Sequence, residues 1–319
     1  MPDRRQFCRR NGYPLPKGIF MTQDAIIIGG SFAGLSAALM LARARRHITI
    51  IDSGTPRNRY ASHAHGILAM DGKPGHEILS DARAQLATYP TVRFVEGEAA
   101  ALSGERDAFR VSTTSGDDID GRRVLLATGF EDILPDIPGI AARWGKTVLH
   151  CPYCHGYEIG RGSIGVLALS PHIFQHAGLF ADWGDVTLFA NGLPLPNDAT
   201  LGFLEQRGVR IEEGRVLAVE DAADQMAVLT DQGGSTRVKA LFVAPGAKIR
   251  GAIPSAIGLD LTDHMVGKII ATSAGRQTSV QGVYAAGDIV LGAANIPLVS
   301  ADGVTAGHNI HRSLIWPDI

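Results

Sequence analysis

Residues 25–28 are a short apolar run that stops at Gly29-Gly30-Ser31-Phe32-Ala33-Gly34, and the chain then enters an alanine- and leucine-rich stretch, 35–44. A brief continuous run, a glycine-rich turn and a longer apolar stretch predict strand, turn and helix in that order. A second apolar run, 48–51, ends on Asp52 and supplies the strand that closes a β-α-β unit. Residues 75–89 have helical periodicity and 92–95 read as extended. Antiparallel strands are expected within 109–127, around the turn-prone Ser115-Gly116-Asp117.

The proline-marked segment 134–139 then suggests a junction, and the pattern starts again beyond it. A strand at 164–169, a helix at 173–183, a strand at 186–189 and a helix-strand pair through Val209 and Ile211 make a second β-α-β series. After residues 241–246 the composition reads as loops until the run Val283-Tyr284-Ala285-Ala286-Gly287-Asp288, which reads as re-entry into the first unit. The fold class expected is therefore α/β, with two Rossmann-like three-layer domains of ββα/βαβ type, the second inserted into a discontinuous first. The boundaries expected are an unstructured extension 1–21, a first domain in two parts, 22–143 and 248–319, and an inserted domain, 144–247.

Composition supports that outline. A length of 319 residues with 45% hydrophobic content is enough for two packed cores, and 38 glycines suit many tight turns. With 30 Lys plus Arg against 32 Asp plus Glu, no global field recruits nucleic acid or anionic lipid, and neither is expected as a partner. No apolar run approaches the roughly 20 residues of a membrane helix. Arg4-Arg5-Gln6-Phe7 faintly matches a twin-arginine export signal, but residues 11–17 are polar and proline-broken where an apolar region should follow. A cytoplasmic location is the expectation.

Two motifs carry chemistry. In the first, glycines at 29, 30 and 34 permit a tight turn and close helix-strand packing, and backbone amides at a helix N-terminus there can meet a phosphate. Ser31 stands where the dinucleotide fingerprint has its second glycine, so a generic α/β turn is the alternative. Asp52, 23 positions beyond Gly29, is placed to accept hydrogen bonds from an adenosine ribose, although an ordinary strand-end aspartate looks the same.

The second motif is Cys151-Pro152-Tyr153-Cys154, two of only three cysteines. Thiols at that spacing close a small ring at little loop-closure cost, and the pair beside a β-α-β pattern reads as redox-active. Half a zinc site is the alternative, with His150 and His155 flanking, but no second cysteine pair completes it and no metal is expected. His155 can exchange protons with a thiolate near neutral pH.

These residues, in this order, resemble the low-molecular-weight thioredoxin reductase family across residues 22–319: the 29–34 turn, Asp52, Ala127-Thr128-Gly129, the cysteine pair in the inserted domain, then Ala286-Gly287-Asp288. The resemblance implies an FAD-binding homodimer. It places the ADP half of FAD on the turn Gly29, Gly30, Ser31, Phe32, Ala33 and Gly34 and on Asp52, and its pyrophosphate and ribityl side on Gly287 and Asp288. Thr128 and Gly129 belong to the same cofactor site, and a helix beginning near Pro297 would direct its N-terminus toward the flavin ring. The spellings Asp52-Ser53-Gly54-Thr55-Pro56-Arg57-Asn58 and Cys151 to Glu158 are similar to a subgroup of flavin dithiol oxidases that close disulfides in gliotoxin and holomycin. By that resemblance Cys154 faces the flavin, Cys151 exchanges with substrate sulfur and His155 takes the position of the acidic proton donor. Ser53, Arg57, Asn58 and His65 then lie near the cofactor.

The departure from the family lies in the inserted domain. Its turn, Ala168-Leu169-Ser170-Pro171-His172-Ile173, has no glycine, and Phe189-Ala190-Asn191-Gly192-Leu193-Pro194 stands where the family carries an arginine cluster for the 2′-phosphate. NADPH is therefore doubtful as a donor. The activity expected is oxidation of a small dithiol with oxygen as acceptor. A reductase of a thioredoxin-like protein driven by ferredoxin or NADPH, and a redox sensor without turnover, are the alternatives.

Overall fold

The computed structural model describes residues 22–316. The extension 1–21, with Cys8 and the Arg4-Arg5 pair, lies outside the described residues.

The first sheet is built from β1 (Gln23–Ile28), β2 (Ile48–Asp52), β3 (Val92–Glu96), β4 (Ala99–Glu105), β5 (Ala108–Thr113) and β6 (Asp118–Leu126), in the order β3-β2-β1-β6-β5-β4. Val283–Ala285 adds to it in parallel with β6, Val283 opposite Val124, so the chain returns to the first unit. Strand β1 is flanked on both sides by parallel partners, with Ala25 opposite Ile48 and Ile28 opposite Leu126, which is why it reads as unbroken apolar sequence. One face of the sheet buries Ile27, Ile50 and Leu125 against α1 (Phe32–Arg43), α2 (Gly75–Ala87) and the C-terminal helix Ile296–Ile315. The other buries Ile26, Ile28 and Val124 against Phe109, Val111 and Ile289. Each such side chain contributes about 1.5–3 kcal/mol by leaving water.

Helix α1 and the C-terminal helix touch backbone to backbone. A Cβ on Gly303 would overlap the Ala33 carbonyl oxygen, and one on Gly307 would stand 2.8 Å from that of Ala37. Arg123 of β6, fully buried, donates to Ser313 Oγ at 2.9 Å and Ser313 O at 2.8 Å, and to Asp107 at 2.8 Å. The end of that helix is thereby fixed to β6.

The inserted unit repeats the plan. Its five-stranded sheet runs Arg210–Glu212, Asp185–Phe189, Ser163–Leu167, Ala240–Val243, Val148–Leu149, with every pairing parallel. A three-stranded antiparallel sheet, Val216–Ala222, Gln225–Thr230 and Ser235–Val238, covers one face through Val216, Val219 and Val228. Phe174, Phe180 and Leu204 cover the other. Two crossings join the units side by side: Phe130–Ile133 pairs antiparallel with Gly246–Ile249. The α/β class with two Rossmann-like units, one inserted in the other, is thus present.

Three local expectations change. The helix expected over 173–183 is an α-helix only at Ile173–Ala177 and tightens to a 3-10 turn at Gly178–Asp182. Gly178 there presses on the Phe203 ring, leaving 2.5 Å between that ring and any added Cβ. The stretch read as loops after 246 holds the hairpin Leu261–His264 with Gly267–Ile270, whose short strands carry little apolar alternation. Strand β4 was not expected, because Ala-Ala-Ala-Leu-Ser-Gly-Glu has no β-branched residue.

Candidate active site

The glycine turn is shaped by contacts that no side chain would allow. Gly29 sits at φ +110°, and a Cβ there would overlap the Ala127 carbonyl; a Cβ on Gly34 would overlap the carbonyl of Gly29. Ser31 caps α1 with an extended backbone but no side-chain hydrogen bond, leaving the first-turn amides without a side-chain acceptor. Those amides and the helix dipole favour an anion.

Asp52 comes from the end of β2 and is already engaged. Its Oδ1 accepts the Gly30 amide at 3.0 Å, and its Oδ2 is ion-paired with Arg83 of α2. Further along, Arg57 donates through Nε to Asp132 at 3.0 Å and through Nη1 to Asp288 at 3.2 Å. Burial is the largest influence on the Arg57 pKa and lowers it, but the bonds and charges of Asp132 and Asp288 outweigh it, so the net direction is up. The guanidinium stays charged. Asp288 also accepts the Ala294 amide at 3.0 Å, and Gly287, at φ +84°, donates its amide to the buried Asp302 at 2.7 Å.

These parts surround a cavity of about 400 Å³. Gly29, Gly30, Ser31, Phe32, Ala33, Asp52 and Ser53 line it, together with Arg57, Asn58, Thr128, Gly129, Gly287 and Asp288. Cys151, Cys154 and His155 line it as well. The C-terminal helix starts here, with Asn295 accepting the Leu298 amide at 3.1 Å and both Asn295 and Ile296 in the lining. Two expected residues are not in the lining. Gly34 lies behind the turn as a packing glycine, and His65 lies against the redox segment, its Nδ1 3.4 Å from Glu158 Oε1 and 3.6 Å from Asp71 Oδ2.

Cys151 and Cys154 form a disulfide, Cα atoms 5.3 Å apart, around the short helix Pro152–His155. Tyr153 between them is exposed and meets Trp183 edge-on at 5.1 Å. Among the described residues no group of three or more His, Cys, Asp and Glu side chains is arranged to hold a metal ion. His150, next to Cys151, has its pKa lowered first by burial and then by the Arg57 charge. His155 is lowered by burial, with Glu158 opposing and His65 adding to the shift.

Several residues of the site were not singled out from sequence: Arg83, Asp132, Asp302, and Arg250, whose Nη1 donates to Thr55 O at 2.6 Å and thereby holds the 53–58 loop. Nothing in local periodicity marks them.

In the inserted unit, Ala168 is fully buried and only five α-helical residues, Ile173–Ala177, follow its turn before the helix tightens to 3-10. Asn191 donates to Ala168 O at 3.4 Å and accepts the Val216 amide at 2.9 Å, so the two strand-end turns close on each other. Arg215, just ahead of the strand Val216–Ala222, reaches Gly192 with its Nε 3.8 Å from where a Cβ would stand. One guanidinium therefore does occupy a place where residues 189–194 alone supply none.

The chain belongs to the pyridine nucleotide-disulphide oxidoreductase family, which it matches over residues 23–163 and 197–306. It is 34% identical over 306 residues to thioredoxin reductase tcpT of Claviceps purpurea (strain 20.1), covering 92% of this chain and 94% of that protein. Among solved structures, an oxidoreductase from Agrobacterium tumefaciens matches with a TM-score of 0.90 at 41% identity, over 93% of this chain and 100% of that one. HlmI matches with a TM-score of 0.85 at 37% identity, over 97% and 96%. The chain is thus a thioredoxin-reductase-like oxidoreductase, and its family implies a bound flavin. No described helix is long and apolar enough to cross a membrane.

Proposed function

We propose that this chain is an FAD-dependent dithiol oxidase, converting a small dithiol and oxygen into a disulfide and hydrogen peroxide, with little use of NADPH. The observation that carries the reading is that the Cys151–Cys154 disulfide and the glycine turn at the start of α1 line one cavity.

The residues fit FAD. The uncapped amides after Ser31 suit a pyrophosphate, Asp52 suits a ribose, and Thr128 Oγ1 is buried at the cavity without a hydrogen-bond partner. Asp288 and Arg57 suit the ribityl side, and Ser53 and Asn58 complete the wall. In this division of labour residues 22–143 and 248–319 hold the cofactor, residues 144–247 hold the redox pair, and the family's homodimer is the expected assembly.

The chain's own part begins at the disulfide. A substrate thiolate attacks Cys151 Sγ; the Cys151–Cys154 bond breaks and Cys154 leaves as a thiolate. The second substrate thiolate then attacks the substrate sulfur of this mixed disulfide, forming the product disulfide and releasing Cys151. His155, held neutral by burial, takes the proton of the first substrate thiol, and the departing Cys151 thiolate takes that of the second. FAD, when bound, would supply the two-electron acceptor for re-forming the Cys151–Cys154 disulfide, with oxygen as the terminal oxidant.

Aerobic assay with small dithiols should yield one peroxide per disulfide in protein carrying one FAD per chain; peroxide-free or flavin-free turnover would refute the reading. The printed name of the Claviceps relative favours a reductase of a thioredoxin-like protein as the second reading. Reduction of such a protein by ferredoxin or a nucleotide would support it. The His155 role has its own test. Since burial pulls the imidazole below its ordinary 6.5, turnover should fall with decreasing pH along an acid limb whose midpoint lies below that value. His155→Gln should erase the limb and slow turnover by about 10²- to 10⁴-fold. An unchanged profile in the variant would remove His155 from proton transfer.

A further inference from the structure

Arg83 lies on α2, outside the glycine turn, the motifs described above and the cavity lining, yet its guanidinium is joined to Asp52 and Gly30, which do line the cavity. It pairs with Asp52 Oδ2, and Nη2 approaches the Gly30 carbonyl oxygen at 3.4 Å. Its central carbon stands 5.5 Å from the centre of the Phe94 ring on β3, within cation–π range. Asp52 Oδ1 is meanwhile held by the Gly30 amide. A Cβ on Gly30 would stand 2.8 Å from Asp52 Cβ and 3.1 Å from Arg83 Nη2, so glycine, carboxylate and guanidinium close into one unit only without a side chain at position 30.

A carboxylate offers about four acceptor sites, and this clamp occupies two of them. Two remain on a group that can no longer rotate freely, which is what the cis-diol of a ribose requires. The guanidinium also offsets a negative charge that would otherwise stand beside the phosphate-binding end of α1.

We propose that Arg83 is a positioning residue for the adenosine end of the cofactor site: it presets Asp52 to accept the ribose hydroxyls and neutralises its repulsion of the pyrophosphate. The proposal rests on the FAD reading above.

The test is FAD affinity, measured by flavin fluorescence on apoprotein of the wild type, Arg83→Ala, Arg83→Lys, Asp52→Ala and the double variant Arg83→Ala/Asp52→Ala. Far-UV circular dichroism of each apoprotein establishes that it is folded. Arg83→Ala should weaken binding by about 10- to 100-fold, the size expected for hydrogen bonds to a charged group. Lysine keeps the charge without the fork and should recover part of the loss. The double variant should bind no more weakly than Asp52→Ala alone, because Arg83 acts through that carboxylate. Wild-type affinity in Arg83→Ala, or fully additive losses in the double variant, would overturn the proposal while leaving the FAD reading intact. A wild-type chain that takes up no FAD overturns the cofactor reading and this proposal with it.

Discussion

Replacing Cys154 with serine should lower dithiol turnover by about three orders of magnitude or more, the scale seen when an attacking or leaving group is removed from a covalent mechanism. A serine hydroxyl cannot form the disulfide or leave as a thiolate, so attack at Cys151 has no bond to break. The change is nearly isosteric. Tyr153 should keep its contact with Trp183, and the glycine turn, Asp52 and Arg57, which make no bond to Cys154, should still bind FAD. Rapid-quench assay of the variant, with its flavin content measured alongside, checks both halves. Turnover within a few-fold of wild type would remove the cysteine pair from the electron path. Loss of flavin together with activity would instead make Cys154 a structural residue.

What could be read in the sequence followed from local chemistry. The β1–turn–α1 unit was legible because a short, β-branched apolar run ending on a glycine turn suits a strand with a partner on each side, and because Gly29 at φ +110° and Gly34 against its carbonyl tolerate no side chain. Cys151 and Cys154 were legible because three positions of separation suffice to close their ring. Contacts between distant residues were not. Arg57 meets Asp132 across 75 positions, Arg83 meets Asp52 across 31 and Arg250 meets Thr55 across 195, and no periodicity encodes such pairs. His65, placed near the cofactor by resemblance, stands 3.4 Å from Glu158 and 3.6 Å from Asp71, outside the cavity lining, and neither neighbour was expected. The break at Gly178 depends on Phe203, 25 residues away and in another helix, so helical spacing over 173–183 could not reveal it.

The nucleotide donor is where the largest difference from a reductase should appear. Close approach of a pyrophosphate to the inserted unit needs a glycine turn and a helix N-terminus, but Ala168 is buried, Pro171 and His172 follow, and only five α-helical residues come next. Asn191 ties the neighbouring turn to Ala168 and Val216, leaving Arg215 as the cation near Gly192. Each charge-assisted bond lost from a phosphate weakens binding by about 1.5–3 kcal/mol, and several such losses amount to orders of magnitude in affinity. NADH lacks the 2′-phosphate but meets the same turn.

Anaerobic stopped-flow mixing of the flavin-loaded protein separates the two directions of electron flow most directly. The account predicts fast, saturable bleaching of the flavin band by a small dithiol and slow or absent bleaching by NADPH and NADH. Rapid, saturable bleaching by micromolar NADPH, with no response to dithiols, would contradict it.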